Sequence, residues 1–349
     1  MIAPDLPLLD LHRHLDGSVR LETILDLGRR HHLPLPAWDV EGLRPHVQVL
    51  VPQSGVMEFI ARFRWMTGVM VDAEAVRRIA YENVEDARRE GIDYLELRFS
   101  PYFMAEAHGL DPAAVVEAVL DGLAAGTRDH GVGVGVIGIL SRTYGPEAAR
   151  GELQALLRFR DRIVALDLAG DEARYPCALF VEHFRRAREA GWRVTVHAGE
   201  AAGPESVWSA IRDLGAERIG HAVRAIEDPR LLDHMADHRI GIEANPTSNV
   251  QTSTVRDFPD HPMRRFLERG LLATINSDDP GISGITLAHE YEVAAPAAGL
   301  SAGQIRRAQL NAVEIAFLPG PAREALRRKA EARARRGEPD PPLPRVPQV

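Results

Sequence analysis

The 349-residue sequence predicts an α/β fold, a (β/α)8 TIM barrel with extra helices inserted between strands 1 and 2. Three observations carry this. Eight short apolar runs are bounded by turn residues, amphipathic helical patterns lie between them, and the conspicuous histidines and acids fall at the carboxyl ends of the runs.

In order, the runs are LLDLH (8–12), DYLELRF (93–99), VGVGVIGI (132–139), IVALDLA (163–169), RVTVHA (193–198), RIGHAV (218–223), IGIEAN (240–245) and LATINS (272–277). Helical patterns such as DAEAVRRIAYENVEDARREG, DPAAVVEAVLDGLAAGTRDHG and CALFVEHFRRAREAG separate them and stop at a glycine before the next strand. Strands alternating with helices pair in parallel through right-handed crossovers, and eight such units close a barrel. About 80 residues separate the first run from the second, against roughly 30 in an ordinary unit, so the excess predicts helices over or beside the barrel mouth. GVGVIG (133–138) spells a dinucleotide fingerprint, but its glycines lie inside an apolar run instead of a turn that opens a helix, and it reads as strand. Residues 1–318 are thus expected to form one barrel domain, and 319–349 an Arg-rich helix and Pro-rich tail, partly disordered.

A net charge of −8 argues against nucleic acid as a partner, because phosphate backbones are held by basic side chains. No stretch approaches 18 uncharged apolar residues, and the first residues show neither a basic region nor an apolar leader, so the expectation is a cytoplasmic protein without a membrane partner. The single cysteine, Cys177, excludes a disulfide framework and a thiolate-rich metal site, so a bound metal would need histidine and carboxylate ligands.

Those residues are present at the strand ends. The first strand ends in His12 and His14, the fifth in HAGE with His197 and Glu200, the sixth in His221, and the eighth in NSDDPG with Asp278 and Asp279. Side chains alternate along a strand with period two, so His12 and His14 point to one side, aiming two nitrogen ligands at one place. His197 and one of the two aspartates complete a set of three imidazoles and a carboxylate suited to Zn²⁺. Such an ion lowers the pKa of its water from about 16 to about 7, which makes the chemistry hydrolytic. Glu200 and His221 remain to orient or deprotonate that water and to protonate the leaving region. Glu200 can also be read as a first-turn acid of the next helix, and Asp279 as a helix cap or as an acceptor for substrate.

DLHRHLDGS, LELRFSP, DLAGDE, VTVHAGEAAGPES, RIGHAV, TSNVQTSTV and NSDDPG resemble, in this order and over about residues 7 to 318, the motifs of the adenosine deaminase family of metal-dependent amidohydrolases, the bacterial members above all. The resemblance implies one Zn²⁺ per chain on His12, His14, His197 and Asp278. It makes Glu200 the proton donor to purine N1, and His221 the histidine that positions the attacking hydroxide and assists its deprotonation. His14, Asp16, Gly170 and Asp279 are implied to touch substrate: Asp16 near the ribose 5′-hydroxyl, the Gly170 amide at N3 and Asp279 near N7. The implied reaction is hydrolytic deamination of adenosine and 2′-deoxyadenosine, with 6-aminodeoxyfutalosine and then free adenine as alternative substrates. Relatives acting on adenine carry HLEG where this chain has HLDG at 14–17, so Asp16 favours a nucleoside. Two residues depart from the family pattern, Ala222 in place of the usual glycine and Asn245 in place of the usual cysteine. A binuclear site bridged by a modified lysine is disfavoured, since the only lysine, Lys329, lies in the tail.

Overall fold

The computed structural model describes residues 1–336. Eight parallel strands, β1 (Leu9–His14), β2 (Tyr94–Phe99), β3 (Gly133–Ser141), β4 (Ala165–Ala169), β5 (Arg193–Ala198), β6 (Arg218–His221), β7 (Gly241–Ala244) and β8 (Leu272–Ile275), pair in sequence order. β8 meets β1 through one parallel bridge, Arg13 to Asp278, where the His14 amide donates to the Asp278 carbonyl at 2.8 Å and the Asp278 amide to the His12 carbonyl at 2.8 Å. This bridge explains why β1 runs to His14 and not, as the apolar run predicts, only to residue 12: its last backbone groups find partners beyond the end of β8.

The helical patterns form where capping chemistry starts them. Asp72 accepts from the Ala75 amide at the head of Ala73–Arg89, Asp111 from the Ala113 amide at the head of Pro112–His130, and Gly131 ends the latter at φ 69°. Between β1 and β2 the chain makes short helices at Leu21–Arg30, Val40–Val47, Val56–Ile60 and Arg64–Thr67 before Ala73–Arg89. Val56, Phe59, Ile60 and Phe63 from this insertion form an apolar wall above the strand ends, as the long first connection predicts. GVGVIG lies within β3, paired to β2 and β4 on either side.

Leu9 and Leu11 of β1 pack on Ala312 and Val313 of the helix Ala302–Ile315. The Arg-rich stretch forms the helix Gly320–Arg336, whose Leu326 joins the same cluster and whose Ala330 is buried. Lys329 Nζ lies 3.2 Å and Arg333 Nη1 3.1 Å from Asp93, the residue before β2, so the only lysine sits at the end of the barrel away from the strands' carboxyl ends. The Pro-rich tail, 337–349, falls outside the described residues. Among the described residues no helix is long and apolar enough to cross a membrane.

Candidate active site

The carboxyl ends of the strands bring His12, His14, His197, His221 and Asp278 together beneath one cavity. His12 and His14 lie on the same side of β1, ring centroids 5.3 Å apart, while Arg13 between them turns away to Asp10 and Glu90. His221, Ala222 and Asp278 adopt left-handed backbone at φ 64°, 54° and 60°. That region costs a non-glycine residue about 1–2 kcal/mol, so the surrounding hydrogen bonds must hold these residues in it. At position 222 this is the backbone that the glycine expected from the family pattern would adopt without strain.

Four close contacts define the inner cluster. His12 Nε2 is 3.1 Å from His197 Nε2 and 3.2 Å from Asp278 Oδ1; His14 Nε2 is 3.2 Å from His197 Nε2 and 3.4 Å from Asp278 Oδ1. What the other ring nitrogens touch decides the character of these. His12 Nδ1 meets Glu243 Oε2 at 2.7 Å, and His197 Nδ1 meets Asp167 Oδ2 at 3.0 Å. Arg98, fully buried, spans both carboxylates at 2.9 Å to Asp167 and 2.8 Å to Glu243. Burial raises the carboxyls of Asp167 and Glu243, but His197 and Arg98 for the former, and Arg98 and Arg218 for the latter, reverse this and hold both below the usual carboxylate range. His12 and His197 therefore donate their Nδ1 protons backwards and aim Nε2 inward; for His12, burial and Arg98 lower the ring, but Asp278 and Glu243 outweigh them and hold it above the usual imidazole range. Bare nitrogens 3.1 Å apart repel each other unless a cation lies between them. Donors about 2.0–2.1 Å from a tetrahedral Zn²⁺ are separated by about 3.3 Å, which these contacts match. The residues fit a divalent metal.

His221 differs. It also belongs to a compact set with His12, His197 and Asp278, their ligand atoms within 4.8 Å of one another. Its Nδ1, however, faces the amide nitrogens of Asn249 at 2.9 Å and Asn245 at 3.3 Å, and its Nε2 lies 3.7 Å from Glu200 Oε2 and 3.8 Å from Asp278 Oδ2. Burial holds His14, His197 and His221 below the usual imidazole range, which keeps these rings neutral.

Three further carboxyls line the cavity. Glu200 follows β5 in a turn that ends before the helix Pro204–Ser209, so it caps nothing; burial first, then the charges of Asp278 and Glu172, push its carboxyl well above the usual range. That turn is pinned from below by Glu172, which accepts from the amides of Gly199 (2.7 Å), Glu200 (3.2 Å), Ala201 (2.7 Å) and Ala202 (3.0 Å). Asp279 occupies the position before the short helix Pro280–Ser283 without capping it, and burial followed by Asp278 pushes its carboxyl well up. Burial likewise moves Asp16 up to about 7. Asp16 Oδ1 and Asp279 Oδ1 are both buried without a hydrogen-bond partner. Gly17 is what allows Asp279 its place: a Cβ there would sit 1.7 Å from Asp279 Oδ1. Gly170, at φ 107° against Thr143, lines the same cavity. All nine residues singled out in the sequence thus meet at one end of the barrel.

The profile of the adenosine deaminase family matches residues 7–332. The chain belongs to the adenosine deaminase family. It is 58% identical over 327 residues to the adenosine deaminase of Edwardsiella ictaluri, covering 94% of this chain and 98% of that one. Among solved structures it is similar to the adenine deaminase of Arthrobacter aurescens, with TM-score 0.87, 25% identity and coverage of 95% and 99%. It shares its fold with an amidohydrolase from Burkholderia ambifaria solved with zinc bound, at TM-score 0.82, 24% identity and coverage of 95% and 93%.

Several residues that build this adenosine deaminase-family site carry no assignment from sequence: Asp167, Glu243 and Arg98 behind the imidazoles, Glu172 beneath the Glu200 turn, and Asn249 behind His221. The first three do leave a signal, a charge inside an otherwise apolar run, and Glu172 stands in the quoted motif DLAGDE.

Proposed function

We propose that the protein hydrolyses adenosine and 2′-deoxyadenosine to inosine and deoxyinosine, one water adding at C6 and one ammonia leaving. The observation that carries this reading is a cluster of imidazole nitrogens 3.1 Å apart beside the carboxyl of Glu200, which burial pushes well above the usual range, in one cavity. The 58% identity to an adenosine deaminase supports adenosine over adenine, since the adenine deaminase with a similar structure is only 25% identical.

His12, His14, His197 and Asp278 would hold the metal, and the donor set suits zinc. When bound, the ion supplies Lewis acidity that makes water nucleophilic at neutral pH. Glu200 holds a proton at the pH where the enzyme works and delivers it to N1, so the ring accepts the nucleophile without building a bare anion. His221 borders Glu200 and Asp278 and holds the incoming oxygen. N7 of adenine has a lone pair and no hydrogen, so a carboxyl beside it must carry the proton; the raised Asp279 carboxyl meets that condition. N3 likewise accepts from the Gly170 amide, and Asp16, with one unpartnered oxygen, accepts from the ribose 5′-hydroxyl. The apolar wall of Phe59, Phe63 and Phe103 excludes water above the ring.

The test is kcat/KM for adenosine, 2′-deoxyadenosine, adenine and 6-aminodeoxyfutalosine on protein of measured metal content. The nucleosides should lead with one zinc per chain. A lead of about tenfold or more for either other compound overturns the substrate assignment.

A further inference from the structure

Behind His221 runs a chain of hydrogen bonds whose direction is fixed from its far end. The Met263 amide can only donate, and it donates to His261 Nδ1 at 3.1 Å. His261 is buried with no charged partner, and burial pushes its pKa down to about 3, so the ring is neutral. With Nδ1 accepting, its one proton sits on Nε2 and goes to Asn249 Oδ1 at 3.1 Å. That contact orients the Asn249 amide, because a flipped amide would set N–H against N–H. A second contact agrees: Asn249 Nδ2 donates to Thr254 Oγ1 at 3.3 Å, and that hydroxyl can send its own proton to the Asn249 backbone carbonyl at 3.1 Å. The remaining hydrogen on Asn249 Nδ2 points at His221 Nδ1, 2.9 Å away.

We infer that Asn249 and His261 are positioning residues that fix the tautomer of His221, leaving its proton on Nε2 and facing the cavity. In this tautomer His221 has no lone pair to offer a metal, so the third imidazole of the ligand set is His14. Toward the attacking oxygen His221 is a hydrogen-bond donor, not a proton acceptor. The inference rests on the reading of His221 as the residue that holds that oxygen, and wild-type turnover of adenosine tests that reading separately.

The experiment is 15N–1H NMR of the zinc-loaded enzyme with 15N-labelled histidine, the His221 signals being assigned by their loss in His221→Gln. The expected wild-type spectrum has a proton on His221 Nε2 and none on Nδ1. Asn249→Asp is nearly isosteric and turns the nearer partner of Nδ1 into an acceptor, leaving only the longer contact from Asn245 at 3.3 Å. It should move the proton to Nδ1, or protonate both nitrogens, and lower kcat by about 10²-fold with little change in KM. Should that variant fail to fold, His261 gives the second arm. His261→Phe removes the donor that orients Asn249 and should yield a mixture of tautomers with reduced kcat, whereas His261→Gln, whose amide both accepts and donates, should restore the single tautomer and most of the lost turnover. A wild-type His221 with a bare Nε2 overturns the inference, as does an Asn249→Asp or His261→Phe enzyme whose His221 spectrum is that of the wild type.

Discussion

Asp167 and Glu243 lie behind the imidazoles of this site, and Glu200 and Asp279 lie in front of them. The two pairs have the same functional group and both sit in the interior, the rear pair fully buried and Glu200 of the front pair slightly open to the cavity, yet the rear pair is held charged and the front pair is pushed toward neutrality. Positive and proton-donating neighbours account for the difference: Arg98 spans both rear carboxylates, with His197 beside Asp167 and Arg218 beside Glu243, while the front ones face other carboxyls, Asp278 above all. A charged rear carboxylate takes an Nδ1 proton and prepares a nitrogen to bind metal; a neutral front carboxyl has a proton to give. Burial alone sets neither role. On the proposed reading, the placement of buried cations behind the imidazoles is what separates a floor suited to a metal from a wall suited to giving a proton.

Breaking the front side should have the largest effect. Glu200→Gln is expected to lower kcat by about 10²–10⁴-fold while the protein keeps its metal, followed as loss of adenine absorbance beside metal analysis. Full activity in that variant would remove Glu200 from the proton-donating wall. On the rear side, Glu243→Gln or Asp167→Asn should weaken metal binding by about 10–100-fold, read by competition with a chelator. If metal affinity holds and only kcat falls, the rear carboxylates serve the substrate and the contrast between the sides fails. Glu172→Ala leaves four backbone amides without their acceptor and should lower both stability, by about 1–3 kcal/mol in denaturant titration, and kcat, as the Glu200 turn loosens.

Glu152 sharpens the comparison as a raised carboxyl with no imidazole among its hydrogen-bond partners. Burial raises it to about 7, against hydrogen bonds from Ser100, Ser141 and Tyr102. Its folded pKa exceeds the unfolded one, so its contribution to stability is whole below about pH 4.5 and is lost as the pH rises through about 7. Melting temperature should therefore decline between about pH 5 and pH 8, and Glu152→Gln should flatten that decline. The smallest effect is expected at Ala222, where glycine relieves about 1 kcal/mol of left-handed strain but loses a buried methyl worth about 0.8 kcal/mol. Denaturant midpoints of Ala222→Gly and the parent should nearly coincide.

The barrel and its rim were readable because their signals are local. Eight apolar runs, and His12 and His14 two residues apart on one of them, need no knowledge of the partner strands. The rear layer was not readable for the same reason. Strands of a parallel barrel are buried on both faces, so no alternation reveals whether Asp167, Glu243 or Arg98 points to the axis or to the helices. Asn249 and His261 were harder still, because their role lies in the direction of a hydrogen bond and not in a residue type. A strand end is hard to read where its partners are remote: β1 continues to His14 because β2 on one side and residue 278 on the other both lie beside it.

That return has a consequence for how the protein is made. His12 and His14 are synthesised long before Asp278, whose backbone amide and carbonyl join the first strand to the last. Until then the early histidines have no seam to stand on. Closure of the cylinder, and any site that needs these residues together, therefore waits for the segment around residue 278.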